Sequence, residues 1–346
     1  MTDKPKNILI IKPSALGDIV LALPALTAIK KSFQQARISW LIRPEYVELL
    51  RGHPDLDEII LFDRRLLGKS WYSPNAFREL LGLLRRLRRG RFDLVFDFQG
   101  LFRTGFLGWV TGCKRRFGIA QAREFAHLFY TDKIEQDSSC IHLVDYYLKI
   151  AAAAGAQQGM PEFKLPEDKA ADEAVRKLLT GHKVNIDNYV VFVPGAARQE
   201  KRWPIERFTE LADKISSKFR SSIIATGSQG EREYIDILCA GAETAVANIA
   251  GQTSVRELTA LLEKASLVVS NDTGPGHIAA ALGVPIVMIF GPTNPARVCP
   301  YGRPECVAAV EPNERGMKAD SFDPKYDISH ITVEQVFEKV CGQIAH

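Results

Sequence analysis

The run from Ala265 to Thr293 constrains the fold more than any other part of the chain. ASLVVS, NDTGPGH, IAAALG and VPIVMIFGPT read in turn as a buried strand, a tight loop, a helix of small residues and a second buried strand. The first apolar run, Leu267–Val269, stops at Ser270-Asn271-Asp272, residues that favour turns and N-caps. Thr273-Gly274-Pro275-Gly276 lets the backbone turn sharply and approach a ligand, and a helix starting near His277 would aim its unpaired N–H groups back at that loop. Helix N-termini attract phosphate through those free donors and the positive end of the dipole. The expectation is a phosphate or diphosphate site at the carboxyl end of a parallel strand. A loop that serves packing alone is the other reading.

Gly274-x-Gly276-x-x-Ala279 also fits the loose dinucleotide fingerprint. That fingerprint asks for an acidic residue about 20 positions on, to hold a ribose. No Asp or Glu occurs between Gly274 and Glu305, which argues against NAD. The chain also lacks GxxxxGK[ST] and GxSxG, so a P-loop NTPase and a serine nucleophile elbow are both excluded.

With 346 residues, 46% of them hydrophobic, the chain is too long for one ordinary core, and about two domains are expected. Charge is nearly balanced, 45 basic against 41 acidic residues, which argues against bulk nucleic-acid binding. The best apolar run, Ile19–Ile29, is broken by Pro24 and falls short of the roughly 18 residues of a membrane span. Ile8–Ile11 is too short for the core of a signal peptide. The six cysteines are scattered, with no CxxC and no histidine at ligand spacing. They read as reduced thiols of a cytosolic protein rather than a disulfide frame or a zinc site.

Along the chain, apolar runs at Asn7–Ile11, Ile38–Ile42, Glu58–Phe62 and Leu94–Phe98 read as strands. Helical stretches at Ile19–Phe33, Glu45–Arg51, Asn75–Arg89, Leu101–Val110 and Cys140–Ala154 alternate with or follow them. This order implies a parallel sheet with right-handed crossovers. Composition shifts over Gly155–Asp187, where Glu167–Thr180 is a charged helical stretch. A second strand–helix series starts at Tyr189–Val193 and runs through Ile205–Phe219, Ser222–Ala225, Glu231–Ala240, Val246–Ile249 and Val255–Lys264 into the stretch above. The expected division is 1–165, 166–328 and a closing segment, 329–346, whose helix Val333–Ile344 would pack back on the first domain. Two α/β domains facing across a cleft are the default architecture.

Three segments carry candidate chemistry. Asp18 lies at the first strand-to-helix turn, where it reads either as a helix N-cap or as a general base for an acceptor hydroxyl. In Val193–Pro204, Pro194 and Gly195 let backbone approach a ligand, while Lys201, helped by Arg198, would neutralise a leaving diphosphate. An exposed basic loop is the plainer reading of that segment, and Trp203 reads as a packing anchor. Arg85, Arg86, Arg88, Arg89 and Arg91 form either a solvated helix end or a basic face for a membrane surface.

ILIIKPSALGDIVLALPAL, VPGAARQEKRWP and SNDTGPGHIAAALGVPIVMIFGPTNP together resemble the ADP-heptose:lipopolysaccharide heptosyltransferases, glycosyltransferase family 9. DFQGLFRTGFL and AREFAHLFY look like the heptosyltransferase I branch. The resemblance implies a GT-B fold of two Rossmann-like domains, inverting chemistry, and neither metal nor cofactor. By position it makes Asp18 the base and Lys201 the lysine on the donor diphosphate. Asp272, Thr273, Gly274 and His277 fall in its donor loop, with Pro194, Gly195, Ala196 and Ala197 in the facing one, and Ser14 and Gly17 shaping the catalytic turn. Arg64, Arg65, Gln99 and Arg123 fall where that branch meets its anionic acceptor. Ala196-Ala197 stand where the heptosyltransferase I branch commonly carries hydroxyls, a departure that leans toward the heptosyltransferase II branch and leaves more of the charge to Lys201 and backbone amides. The partners implied are an ADP-heptose donor, a lipid A-linked acceptor and a peripheral contact with the inner membrane, with no nucleic acid. The rivals are a UDP- or GDP-sugar transferase, a sugar-nucleotide epimerase, and a nucleotide-binding module without turnover.

Overall fold

The computed structural model describes residues 4–157, 159–312 and 315–344. The chain divides into two compact units, Met1–Pro166 and Glu167–His346.

The first unit is built on six strands, β1 (Asn7–Ile11), β2 (Arg37–Ile42), β3 (Glu58–Leu61), β4 (Leu94–Asp97), β5 (Arg116–Ile119) and β6 (Asp132–Ile134). Its helices are α1 (Leu16–Ser32), α2 (Val47–Leu50), α3 (Arg64–Leu67), α4 (Pro74–Arg89), α5 (Phe102–Val110) and α6 (Leu143–Ala153). The strands pair in parallel in the order β3-β2-β1-β4-β5-β6. Ile8, Leu9, Ile10 and Ile11 are all fully buried, as a central strand covered on both faces requires. The sequence reading misses β5 and β6, because RFGI and DKI are too short and too polar to stand out from loops.

The second unit repeats the plan. Its strands are β7 (Tyr189–Val193), β8 (Ser222–Ala225), β9 (Val246–Asn248), β10 (Leu267–Asn271), β11 (Ile286–Phe290) and β12 (Val307–Ala309). Its helices are α7 (Lys169–Gly181), α8 (Ile205–Phe219), α9 (Arg232–Gly241), α10 (Val255–Glu263), α11 (Gly274–Ala281), α12 (Pro295–Val298) and α13 (Val333–Ile344). The parallel order is β12-β11-β10-β7-β8-β9. Counted from its own first strand, this is the 3-2-1-4-5-6 order of the first sheet, the Rossmann arrangement. Both sheets therefore reverse direction between their first and fourth strands, and the loops leaving those strands are where such folds hold ligands.

The closing helix corrects one expectation. Val333, Val336 and Val340 of α13 are buried in the second unit's core with Trp203, Phe208 and Ile215, so its apolar face belongs to that unit rather than the first. The indole Nε1 of Trp203 donates to the Ile331 carbonyl at 2.8 Å, fixing the chain just before the helix.

Candidate active site

In the first unit the loop between β1 and α1 is short. Helix α1 starts at Leu16, three residues earlier than the periodicity of Ile19–Phe33 suggests, so Gly17 and Asp18 lie in its first turn. Asp18 is not the N-cap, which is Ala15; from the third position of the helix its carboxylate accepts the Ala15 N–H at 3.3 Å and so ties the helix start. The same carboxylate faces Lys12 Nζ at 3.4 Å, and the two differ in exposure, 39% for the Asp18 side chain against 4% for that of Lys12. Asp18 therefore ties the helix start and still presents an accessible carboxylate. Burial pulls the Lys12 pKa down, but the Asp18 charge and Tyr147 outweigh it and hold the value above the ordinary one, so Lys12 stays a cation. Sequence reasoning passes over Lys12 as a loop residue. Its signal is a lysine that directly continues the buried run Ile8–Ile11.

The loop after β4 lies next to this one, because β1 and β4 are paired. Asp97 is buried at the strand end, where its carboxylate accepts the N–H groups of Gln99 and Gly100 at 2.9 and 3.1 Å and the Tyr130 hydroxyl at 2.7 Å. Burial raises its pKa. Gln99 is thus held by the residue two before it, and its side-chain Oε1 is buried with no hydrogen-bond partner among the described residues. The Arg123 N–H donates to the Gly100 carbonyl at 3.0 Å, which brings Gln99 and Arg123 together. Arg64 and Arg65 stand apart from them, exposed on α3 behind the Asp63 cap. Their strand, β3, is three steps from β4 in the sheet, about 14 Å by strand spacing. Ser14 lies in the turn between β1 and α1.

In the second unit the loop after β7 and the loop after β10 are stapled by one side chain. Asn271 Nδ2 donates to the Pro194 carbonyl at 2.7 Å, and its Oδ1 accepts the Trp203 N–H at 3.2 Å. Sequence reasoning places Asn271 in a turn, but β10 runs through Ser270 and Asn271, and Thr273 is the N-cap. Helix α11 starts at Gly274 rather than near His277. The physical reason is Gly276: a Cβ there would lie 2.8 Å from Ser270 Oγ and 3.0 Å from Met288 Cε, so only glycine lets the first turn sit against the sheet. His277 is consequently inside the helix, its backbone N–H already given to the Thr273 carbonyl at 3.2 Å. The Gly274 and Gly276 N–H groups remain at the open N-terminus, where an anion is favoured.

Asp272, expected as a ligand-binding residue, is the buried centre of an ion-pair array. Its Oδ2 lies 2.6 Å from Lys201 Nζ and its Oδ1 lies 3.3 Å from His277 Nε2. Burial raises its pKa, but the hydrogen bond from His277 and the charge of Lys201 prevail and hold the carboxyl well below the usual range. Lys201 closes the short turn Gln199–Lys201 with its side chain 21% exposed, against 6% for Asp272. The array thus fixes one accessible ammonium beside the N-terminus of α11.

In the facing loop Pro194, Gly195 and Ala196 are buried and Ala197 is exposed. Gly195 is packed against Glu231, whose Oε1 would lie 2.1 Å from a Cβ at that position. Arg198 does not serve as the free second cation that the sequence suggests. It pairs with Glu200 at 2.7 Å and Asp320 at 2.8 Å, so its charge is already matched. Asp320 carries no sequence signal, because more than a hundred residues separate it from Arg198. Among the described residues no three His, Cys, Asp or Glu side chains gather as a metal cage would require.

The profile of glycosyltransferase family 9 (heptosyltransferase) matches residues 80–324, more than half of the chain. This protein belongs to glycosyltransferase family 9. The family 9 enzyme is 30% identical over 300 residues to lipopolysaccharide heptosyltransferase 1 of Pseudomonas aeruginosa, covering 86% of this chain and 82% of that protein. It is 28% identical over 316 residues to the lipopolysaccharide core heptosyltransferase OpsX of Haemophilus influenzae, covering 89% and 86%. Among solved structures, Escherichia coli heptosyltransferase WaaC with ADP-2-deoxy-2-fluoro heptose superposes with a TM-score of 0.73 at 25% identity, over 96% of this chain and 98% of that one. The glycosyltransferase thus carries the two Rossmann-like units that the GT-B class implies.

Proposed function

We propose that this enzyme moves heptose from ADP-heptose to a Kdo-type or heptose acceptor of the lipopolysaccharide inner core, with inversion and without a metal. The observation that carries this reading is the Lys201–Asp272–His277 array beside the open N-terminus of α11. A fixed ammonium and free backbone N–H groups together suit a departing diphosphate, whose charge grows in the transition state. The charge that a divalent cation would otherwise meet falls to these groups.

Asp18 supplies the complementary half. Its accessible carboxylate takes the proton from the acceptor hydroxyl, and that oxygen attacks the anomeric carbon from the side opposite the diphosphate. The C–O bond to ADP breaks as the new one forms, and the proton stays on Asp18. Gln99 and Arg123, with Arg64 and Arg65 further along the sheet edge, meet the anionic acceptor. Relatives named as lipopolysaccharide heptosyltransferases, one of them a core heptosyltransferase, support the acceptor class, and the neighbour solved with ADP-2-deoxy-2-fluoro heptose supports the donor. A lipid-linked acceptor would bring the enzyme to the inner face of the inner membrane. No helix among the described residues is long and apolar enough to cross a membrane, so the contact proposed is peripheral. Mass spectrometry of products from ADP-heptose beside UDP- and GDP-sugars tests the reading. Transfer from ADP-heptose alone is expected; equal use of a UDP-sugar, or no transfer from any donor, would overturn it.

A further inference from the structure

Helix α5 and the turn Ala126–Phe129 form an aromatic knob that the reaction does not use. Phe129 is its hub, with ring centroids 5.2 Å from Phe102, 6.1 Å from Phe106 and 6.5 Å from Trp109. The two segments meet at Gly105, where a Cβ would come within 2.9 Å of the Phe129 ring and 3.0 Å of the Ala126 carbonyl. Around this rooted centre the side chains open to solvent: Phe102 is 48% exposed, Trp109 54%, Leu128 68% and Phe125 70%. The turn that lifts Phe125 is strained, since Glu124 and Phe125 both adopt left-handed backbone, φ 54° and 60°, without being glycine. It is also pinned, by the Arg123 N–H on Gly100 and by the Glu124 carboxylate, which accepts the Phe102 N–H at 3.3 Å.

The chain that builds the knob is net basic. Arg123 aside, which the acceptor reading uses, residues 101–132 contain Arg103, Lys114, Arg115 and Arg116 against Glu124, which the helix start already engages, and Asp132. Exposed aromatic side chains on a rigid base, in a net basic stretch of chain, suit the headgroup level of an anionic bilayer. A second copy of the chain is the poorer occupant, because a two-fold interface would set this basic patch against itself.

We infer that the knob formed by Phe102, Trp109, Phe125 and Leu128 is the surface by which the enzyme docks on anionic lipid. The inference rests on the lipid-linked acceptor proposed above, and it replaces the arginine-rich end of α4 as the membrane-facing element. Arg86 of that end is committed within the protein, to Glu58 at 2.6 Å and the Ile59 carbonyl at 3.1 Å.

Co-sedimentation with vesicles tests it, comparing phosphatidylcholine alone with phosphatidylcholine containing roughly one third phosphatidylglycerol. Binding to the anionic vesicles is expected, weakening as salt is raised. The double variant Phe125→Ser/Leu128→Ser should lower that partitioning by about tenfold or more. Arg103→Glu should lower it by at least about fivefold, on the anionic vesicles only. Both variants should keep heptose transfer to a deacylated, water-soluble acceptor within about twofold of the parent, since neither touches the site. Equal co-sedimentation of parent and variants would overturn the surface while leaving the reaction standing. A concentration-dependent dimer abolished by Phe125→Ser would also overturn it, in favour of a protein interface. Absence of transfer by the parent enzyme, with the vesicle pattern intact, would overturn the proposed reaction and not the surface.

Discussion

In the first unit the lysine of the ion pair is buried and the aspartate is accessible; in the second the aspartate is buried and the lysine accessible. The two sheets have the same strand order, and both pairs sit at the carboxyl edge beside the reversal point. What differs is the sign of the charge hidden and the sign shown. A buried charge requires a partner, so each hidden member holds its accessible partner in place. The pairs also differ in tightness. Lys12 and Asp18 are 3.4 Å apart, whereas Asp272 grips Lys201 at 2.6 Å and is itself held by His277. A loose pair leaves a carboxylate free to take a proton, and a tight one fixes a cation for a leaving anion. On the reaction proposed above, one scaffold would thus yield a base in one unit and a clamp in the other.

The contrast breaks most readily at Asp18. Asp18→Asn should lower kcat by about 10²–10⁴-fold, the usual worth of a general base, while calorimetry finds ADP affinity unchanged. Joint loss of turnover and ADP binding would reduce Asp18 to a tie at the helix start. Lys201→Met should cost about 10²–10³-fold in transfer and, unlike the change at Asp18, should weaken ADP binding as well.

Stability measurements sharpen the same comparison. Asp272→Asn leaves Lys201 and His277 without their carboxylate and should destabilise the protein by about 2–4 kcal/mol in denaturant unfolding. Because the folded-state pKa of Asp272 is depressed, its stabilising effect is complete above the ordinary carboxylate value of about 4 and is lost as pH falls below it, through the folded value. Melting temperature below about pH 4 should therefore drop more steeply for the parent than for Asp272→Asn. Lys12→Met should be the mildest, about 1–2 kcal/mol, since it fills a buried site with an apolar chain of similar length but takes the ammonium from both the accessible Asp18 carboxylate and the buried Tyr147. It should lower kcat with KM unchanged, as a positioning residue would; a raised KM with unchanged kcat would contradict that role.

Much of this was legible in the residues themselves. Runs such as Ile8–Ile11, Tyr189–Val193 and Ile286–Phe290 are apolar throughout, so they announce buried parallel strands whatever surrounds them. The Gly- and Pro-punctuated loops after them locate Asp18, Lys201 and Thr273–Gly274, because tight turns and helix starts are set by local backbone chemistry. Strands β5, β6 and β12, at or next to a sheet edge, were not legible, since short segments with partial burial carry little periodicity.

What the residues determined alone was the class of fold and the places where charge meets a helix start, both consequences of interactions within a few positions along the chain. Only the tertiary structure decided which member of each ion pair is hidden, that Asp272 holds Lys201 rather than standing free, that Arg198 is taken up by Asp320, and that the closing helix joins the second core. Those outcomes depend on partners six to more than a hundred residues apart and on how much water each side chain keeps. Burial and pairing at such separations are properties of the packed chain, and no local pattern encodes them.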